Sequence, residues 1–231
     1  MRYKHLFFDW DHTLWDFEKN SEMSLRNLFV DLGLQTLGMP SFELFFEKYI
    51  TINDLKWDLY RQGKITKQGL RESRFQETFA HFGVKADDVA WTLETRYIDE
   101  TPYQNHLIDG AREMLETLKA RGYCMHIITN GFHESQNIKF AESGLEPLFD
   151  VLLCSDQVGV NKPDAKIFRR ALQLAGADRK DSLMIGDNLI ADCVGAREQG
   201  IDQVFFNPKR IKHTEKVTYE IEDLKELLGI V

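Results

Sequence analysis

From residue 109 to the end, the chain alternates short apolar runs with longer amphipathic stretches, and this rhythm restricts the fold more than any other feature. The spacing predicts helices over 110–121, 134–143, 164–175, 191–199 and 221–228, with strands over 123–129, 149–155, 182–185 and 203–206 between them. A further apolar run, Lys4-His5-Leu6-Phe7-Phe8, reads as a buried first strand. Strict alternation of this kind means an α/β fold: a parallel sheet with right-handed crossovers and helices on both faces. Ligands of such sheets bind beyond the carboxyl ends of the strands, so the residues just after each strand carry the functional information.

Between the first strand and the alternating part, 17–104 hold no convincing strand. Helices are predicted over 17–34, 41–62, 66–81 and 87–101, parted by Gly33, Gly38-Met39-Pro40, Gly63 and Gly83. Apolar residues recur there at helical spacing, as in Leu25, Leu28, Phe29 and Leu32, or Phe42, Phe45, Phe46 and Tyr49. An all-helical block is therefore inserted behind the first strand, with its aromatic stripes as core.

At 231 residues the chain suffices for a main domain with such an insertion, and 43% hydrophobic with 29% charged residues is ordinary globular composition. The net charge of -8 argues against a nucleic-acid polymer as partner, and Lys209-Arg210-Ile211-Lys212, the densest basic run, reads as a solvated face. Cys124, Cys154 and Cys193 are scattered and form no C-x-x-C pair, which suits reduced thiols. The start runs within a few residues into the first strand, leaving no room for a signal peptide, and no apolar run approaches the roughly 18 residues of a membrane span. The expectation is a cytoplasmic protein with no membrane partner; the sequence leaves its oligomeric state open.

The strand ends share one chemistry. The first strand delivers Asp9 and Asp11, the next Thr129-Asn130-Gly131, the next Ser155-Asp156 with Lys162 shortly after, and the fourth Gly186-Asp187 with Asp192 beyond. Residues i and i+2 of an extended chain point to the same side, so Asp9 and Asp11 repel each other unless a cation or donor compensates. Taken singly, each feature has a plain reading: an acidic turn, a Thr helix cap, a surface lysine, a turn-forming Asp. Taken together they supply carboxylates for a hard cation such as Mg²⁺, an ammonium and a hydroxyl for phosphate oxygens, and glycines where backbone approaches a ligand.

In these four clusters the sequence resembles the haloacid dehalogenase superfamily. Asp9-Trp10-Asp11-His12-Thr13 is similar to the D-x-D-x-T of its phosphatase branch, and Thr129, Lys162 before a proline, and Gly186-Asp187 with Asp192 to its other three motifs. The resemblance implies a Rossmann-like core formed by 1–15 and 106–231 and a helical cap of 16–105 that sets specificity. It implies Asp9 as nucleophile toward phosphorus, Asp11 as proton donor and acceptor, and Mg²⁺ held by the Asp9 and Asp187 carboxylates with the Asp11 main-chain carbonyl. Thr129, Asn130 and Lys162 then bind phosphate, and Asp192 acts from behind, orienting a metal-bound water or Lys162.

Trp57-x-x-Tyr60, with Arg74-Phe75 further along, is similar to the cap of bacterial pyrimidine 5'-nucleotidases. That likeness implies a nucleoside 5'-monophosphate as the small phosphomonoester substrate, with Trp57, Tyr60 and Arg74 contacting it. A phosphatase of sugar phosphates and a phosphoglucomutase-like phosphotransferase fit the same motifs. A metal-free dehalogenase is disfavoured by Asp11 and Asp187, and a phosphorylatable receiver module by the large helical insert.

Overall fold

The structure, a computed structural model, describes residues 2–231. It divides into two compact units, one made of the chain up to Phe17 together with Asn105–Val231, the other of Glu18–Gln104. Among the described residues no helix is long and apolar enough to cross a membrane.

The first unit is built on a sheet of six strands: β1 (His5–Phe8), β2 (Cys124–Thr129), β3 (Val151–Cys154), β4 (Ser182–Gly186), β5 (Asp202–Phe206) and β6 (Tyr219–Ile221). Their order is β3-β2-β1-β4-β5-β6, and every neighbouring pair is parallel. From β1 the chain moves outward through β2 and β3, then returns to β4 on the other side of β1. The order therefore reverses between β1 and β4, the position at which open α/β sheets bind ligands.

Alternate strand residues feed opposite layers, as a buried parallel sheet requires. Leu6 and Phe8 join Met125, Ile127, Leu183 and Ile185 in one core, against Met114, Leu115 and Leu118 of α5 (Ala111–Ala120). Phe7 joins Ile128 and Met184 in the other, against Ile167, Phe168 and Ala171 of α8 (Ala165–Ala175). Between these come α6 (His133–Glu142) and the single turn α7 (Ser155–Val158).

Three departures from the sequence reading occur here. The stretch predicted as a helix over 191–199 is a π-helical turn, Leu189–Val194, followed by α9 (Gly195–Glu198). The sixth strand, Tyr219–Ile221, was not predicted. It ends at Ile221, where a closing helix was expected to begin, and of that helix only Leu224–Glu226 and α10 (Leu227–Ile230) are helical.

The second unit is entirely helical: α1 (Phe17–Asp31, with its first residue in the other unit), α2 (Phe42–Arg61), α3 (Lys67–His81) and α4 (Asp87–Glu100). Ser41 and Thr66 cap α2 and α3, accepting from the Leu44 and Gly69 N–H groups. The predicted stripes are its core: Leu25, Leu28 and Phe29 pack with Phe42, Phe45 and Tyr49, and Tyr49 stacks on Phe75 at 4.8 Å.

Candidate active site

Asp9 leaves β1 beside the end of β4, its N–H donating to the Ile185 carbonyl at 2.8 Å. The chain then folds back on itself, the N–H groups of Leu14 and Trp15 both meeting the Trp10 carbonyl at 2.9 Å. Trp10 itself turns into the sheet core and meets Phe140 edge-on at 5.6 Å, so its bulk fills the core. His12 takes a positive φ of 64° in this turn and lies against Phe17.

Thr13 ties the β1 turn to the β4 turn. Its hydroxyl donates to Asp187 Oδ1 and accepts from the Asp187 N–H, both at 3.1 Å, and the side chain is wholly buried. Thr13, the last residue of the D-x-D-x-T run, is thus the clamp that sets Asp187 beside Asp9.

Lys162 is 1% exposed, and its ammonium meets Asp9 Oδ1 at 2.7 Å, Asp192 Oδ1 at 2.6 Å and the Ile128 carbonyl at 2.7 Å. An ammonium has three hydrogens, and each here has an acceptor. The Lys162 main chain is held in turn by Asn130, whose Oδ1 accepts from the Lys162 N–H at 2.7 Å and whose Nδ2 donates to its carbonyl at 3.0 Å. The Asn130 side chain therefore holds the lysine loop.

Asp9, Asp187 and Asp192 each offer an oxygen within 4.8 Å of the others. Burial pushes the Asp9 carboxyl up to about 6 against the pull of Lys162, and burial likewise lifts Asp187 to about 6 and raises Asp192. Burial opposes the Lys162 charge, but Asp192 and Asp9 outweigh it and raise its pKa. One ammonium against three carboxylates, two of them buried and Asp187 half-buried, leaves negative charge uncompensated, and hard oxygens at this separation suit a divalent cation. Asp192 has both oxygens engaged, one by Lys162 and the other by the Asn188 N–H at 3.0 Å, so it acts through Lys162 and the β4 turn. Asp9 and Asp187 are the carboxylates that could hold a cation.

Asp11 stands slightly apart. Its Oδ1 accepts from Lys139 Nζ and its Oδ2 from Gln136 Nε2, both at 2.6 Å, and Gln136 Nε2 also reaches the Thr129 hydroxyl at 3.0 Å. Gln136 and Lys139 were not among the sequence candidates. The available signal was their spacing of three on the helix that follows Thr129, which puts them on one face.

The three cap candidates fare differently within the helical unit. Trp57 and Tyr60 are partly exposed and meet edge to face at 5.7 Å, sharing a helix face as expected. Arg74 is 5% exposed and spent internally, its guanidinium forking onto Glu94 at 2.6 and 2.8 Å and reaching Asn53 Oδ1 at 3.2 Å. The expectation of Arg74 as a substrate contact is corrected accordingly: it neutralises a buried glutamate in the helical core.

Comparison with known proteins agrees with this geometry. Residues 3–200 match the family model of haloacid dehalogenase-like hydrolases. The chain is 35% identical to the pyrimidine 5'-nucleotidase PynA of Streptococcus pneumoniae, covering 99% of this chain and 94% of that protein. Against the pyrimidine 5'-nucleotidase YjjG of Escherichia coli it is 30% identical, over 98% and 97% of the two chains. The crystal structure of the HAD-hydrolase YfnB from Bacillus subtilis, bound to magnesium, superposes with a TM-score of 0.89 at 31% identity, covering 100% of this chain and 99% of that one. Four strand-end motifs on a parallel sheet, a helical insert behind the first strand and these near full-length matches lead to one conclusion: the chain belongs to the haloacid dehalogenase-like hydrolases.

Proposed function

We propose that the protein is a Mg²⁺-dependent phosphomonoesterase that hydrolyses nucleoside 5'-monophosphates, pyrimidine nucleotides first, through a phosphorylated Asp9. The observation that carries this reading is the buried Lys162 bridge from Asp9 to Asp192, with the Asp187 oxygen within 4.8 Å at the point where strand order reverses. Such a site pairs a carboxylate nucleophile with charge-neutralising groups for a phosphoryl ester.

Asp9, Asp187 and the Asp11 main-chain carbonyl are the groups to hold Mg²⁺, which when bound supplies positive charge to the phosphoryl oxygens. An Asp9 carboxylate oxygen forms a bond to phosphorus as the ester P–O bond breaks, and Asp11 gives its proton to the departing alkoxide. A water then attacks the phosphorylated Asp9, Asp11 takes its proton, and inorganic phosphate leaves with Asp9 restored. Thr129 donates its hydroxyl to a phosphoryl oxygen, the Trp10 and Asn130 main-chain N–H groups assist, and Lys162 compensates charge as it passes from Asp9 to the phosphoryl group.

The nucleotide part of the reading is supported by the two pyrimidine 5'-nucleotidase relatives and by Trp57 and Tyr60, aromatic faces on which a base can stack for about 1–3 kcal/mol. The test is phosphate release from a panel of nucleoside monophosphates, sugar phosphates and short-chain phosphates, with Mg²⁺ and with EDTA. The expected result is Mg²⁺-dependent turnover with pyrimidine 5'-monophosphates highest in kcat/KM. Highest kcat/KM on a sugar phosphate would move the substrate class, and turnover unaffected by EDTA would remove the metal.

A further inference from the structure

Two buried side chains on one face of α6 converge on the Asp11 carboxylate. Gln136 is 1% and Lys139 7% exposed, and each takes one oxygen of Asp11 at 2.6 Å. We propose that Gln136 and Lys139 are positioning residues that fix Asp11 for proton transfer, and that Gln136 also aims the Thr129 hydroxyl at phosphate. This rests on the reading of Asp11 as the proton donor in the scheme above.

A carboxylate bonded at one oxygen alone can still rotate about its Cβ–Cγ bond; bonded at both, it cannot. The two bonds use one lone pair on each oxygen and leave another on each for the proton in transit. Lys139 adds charge: when Asp11 gives up a proton, the carboxylate left behind faces an ammonium. That ammonium is itself fixed, lying over the Trp15 ring at 3.9 Å from its centre, with the Phe17 ring at 5.7 Å.

Gln136 has a second task. Its Nε2 donates to the Thr129 hydroxyl oxygen at 3.0 Å, and the Gly131 N–H donates to the same oxygen at 3.0 Å. A hydroxyl oxygen has two acceptor sites, so both are filled and its hydrogen is left for an outside acceptor. Thr129 is thereby made a donor toward the ligand. The arrangement has a cost, since Gln136 Oε1 is buried with no donor. It also requires Gly131: a Cβ there would sit 1.7 Å from Gln136 Nε2.

The test compares two leaving groups in the first turnover of the Mg²⁺-loaded enzyme. A nucleoside 5'-monophosphate departs as an alkoxide that needs a proton, whereas p-nitrophenyl phosphate departs as a stable phenolate that does not. Asp11→Asn is the reference, expected to slow nucleoside release about 10²-fold or more while nitrophenolate release changes far less. Lys139→Met and Gln136→Met are expected to reproduce that discrimination at about 10-fold or more, and Lys139→Arg to restore most of the loss. Gln136→Met alone is also expected to weaken competitive inhibition by inorganic phosphate, because only it disturbs Thr129. Lys139→Gln serves the same comparison if Lys139→Met does not fold. Equal slowing of both esters in the Lys139 and Gln136 variants, beside a discriminating Asp11→Asn, overturns the proposal and leaves the proposed function standing. An Asp11→Asn that slows both esters equally overturns the proton-donor reading itself, and the proposal with it.

Discussion

At the scale of single residues, the site depends on how closely backbone and carboxylate approach. Gly186 ends β4 directly against Asp192, and a Cβ on it would lie 2.2 Å from Asp192 Oδ2, the oxygen that accepts from the Asn188 N–H. Gly186→Ala is therefore expected to displace Asp192 and with it Lys162. The cost in stability should be about 1–3 kcal/mol by urea denaturation, with kcat falling alongside. An alanine variant with parental stability and kcat would mean that this packing does not hold the lysine. Asp9, Asp11, Thr129, Lys162, Asp187 and Asp192 were legible in the sequence because each stands at or near the end of a recognisable strand, where reactive groups gather in an α/β sheet. Gln136 and Lys139 were not, since a polar helix face looks the same whether it meets solvent or, as here, the carboxylate of Asp11. Arg74 misled for the converse reason. Its partner Glu94 lies 20 residues away on another helix, and no local pattern reveals that the pair is buried.

At the scale of elements, strands with continuous apolar runs and helices with a clear apolar stripe were read correctly, and short or irregular pieces were not. β6 has three residues, one of them an exposed glutamate, and acquires strand geometry only by pairing with β5. The π-helical turn over Leu189–Val194 carries Asp192 inward, and a helical period does not distinguish it from an α-helix. The pairing of β1 with β2 brings another consequence. His126 is 1% exposed, packed on Phe7 at 4.7 Å with its Nε2 3.1 Å from His5 Nδ1. Burial, then the neighbouring His5, lowers its pKa from 6.5 to about 4. A histidine depressed in the folded state stays neutral while the unfolded chain takes up protons. Its contribution to stability is thus whole above 6.5 and is lost as pH falls toward about 4. The loss should reach roughly 2–3 kcal/mol, read as a falling urea midpoint between about pH 7 and 4. His126→Gln is expected to flatten that fall. A variant that loses stability with pH as steeply as the parent would assign the effect to other groups.

At the scale of the whole molecule, the cluster of Asp9, Lys162, Asp187 and Asp192 lies on the sheet unit, and the helical unit is a compact body with its own aromatic core. The alternation in the sequence made both parts visible, because an insert without strands interrupts an otherwise regular succession of strand and helix. The sheet then carries β1 and β4 to the reversal of strand order, placing Asp9 and Asp187 together although they are far apart in the chain. The proposed reaction requires that the phosphoryl group be received by Asp9, the carboxylate bonded to Lys162. The direct measurement is to quench the Mg²⁺-loaded enzyme with acid during turnover of a phosphate-labelled nucleoside 5'-monophosphate and map the labelled peptide. The expected result is an acid-stable, hydroxylamine-labile label on Asp9 that is absent from Asp9→Asn; a label on another residue, or turnover by Asp9→Asn at the parental rate, would contradict it.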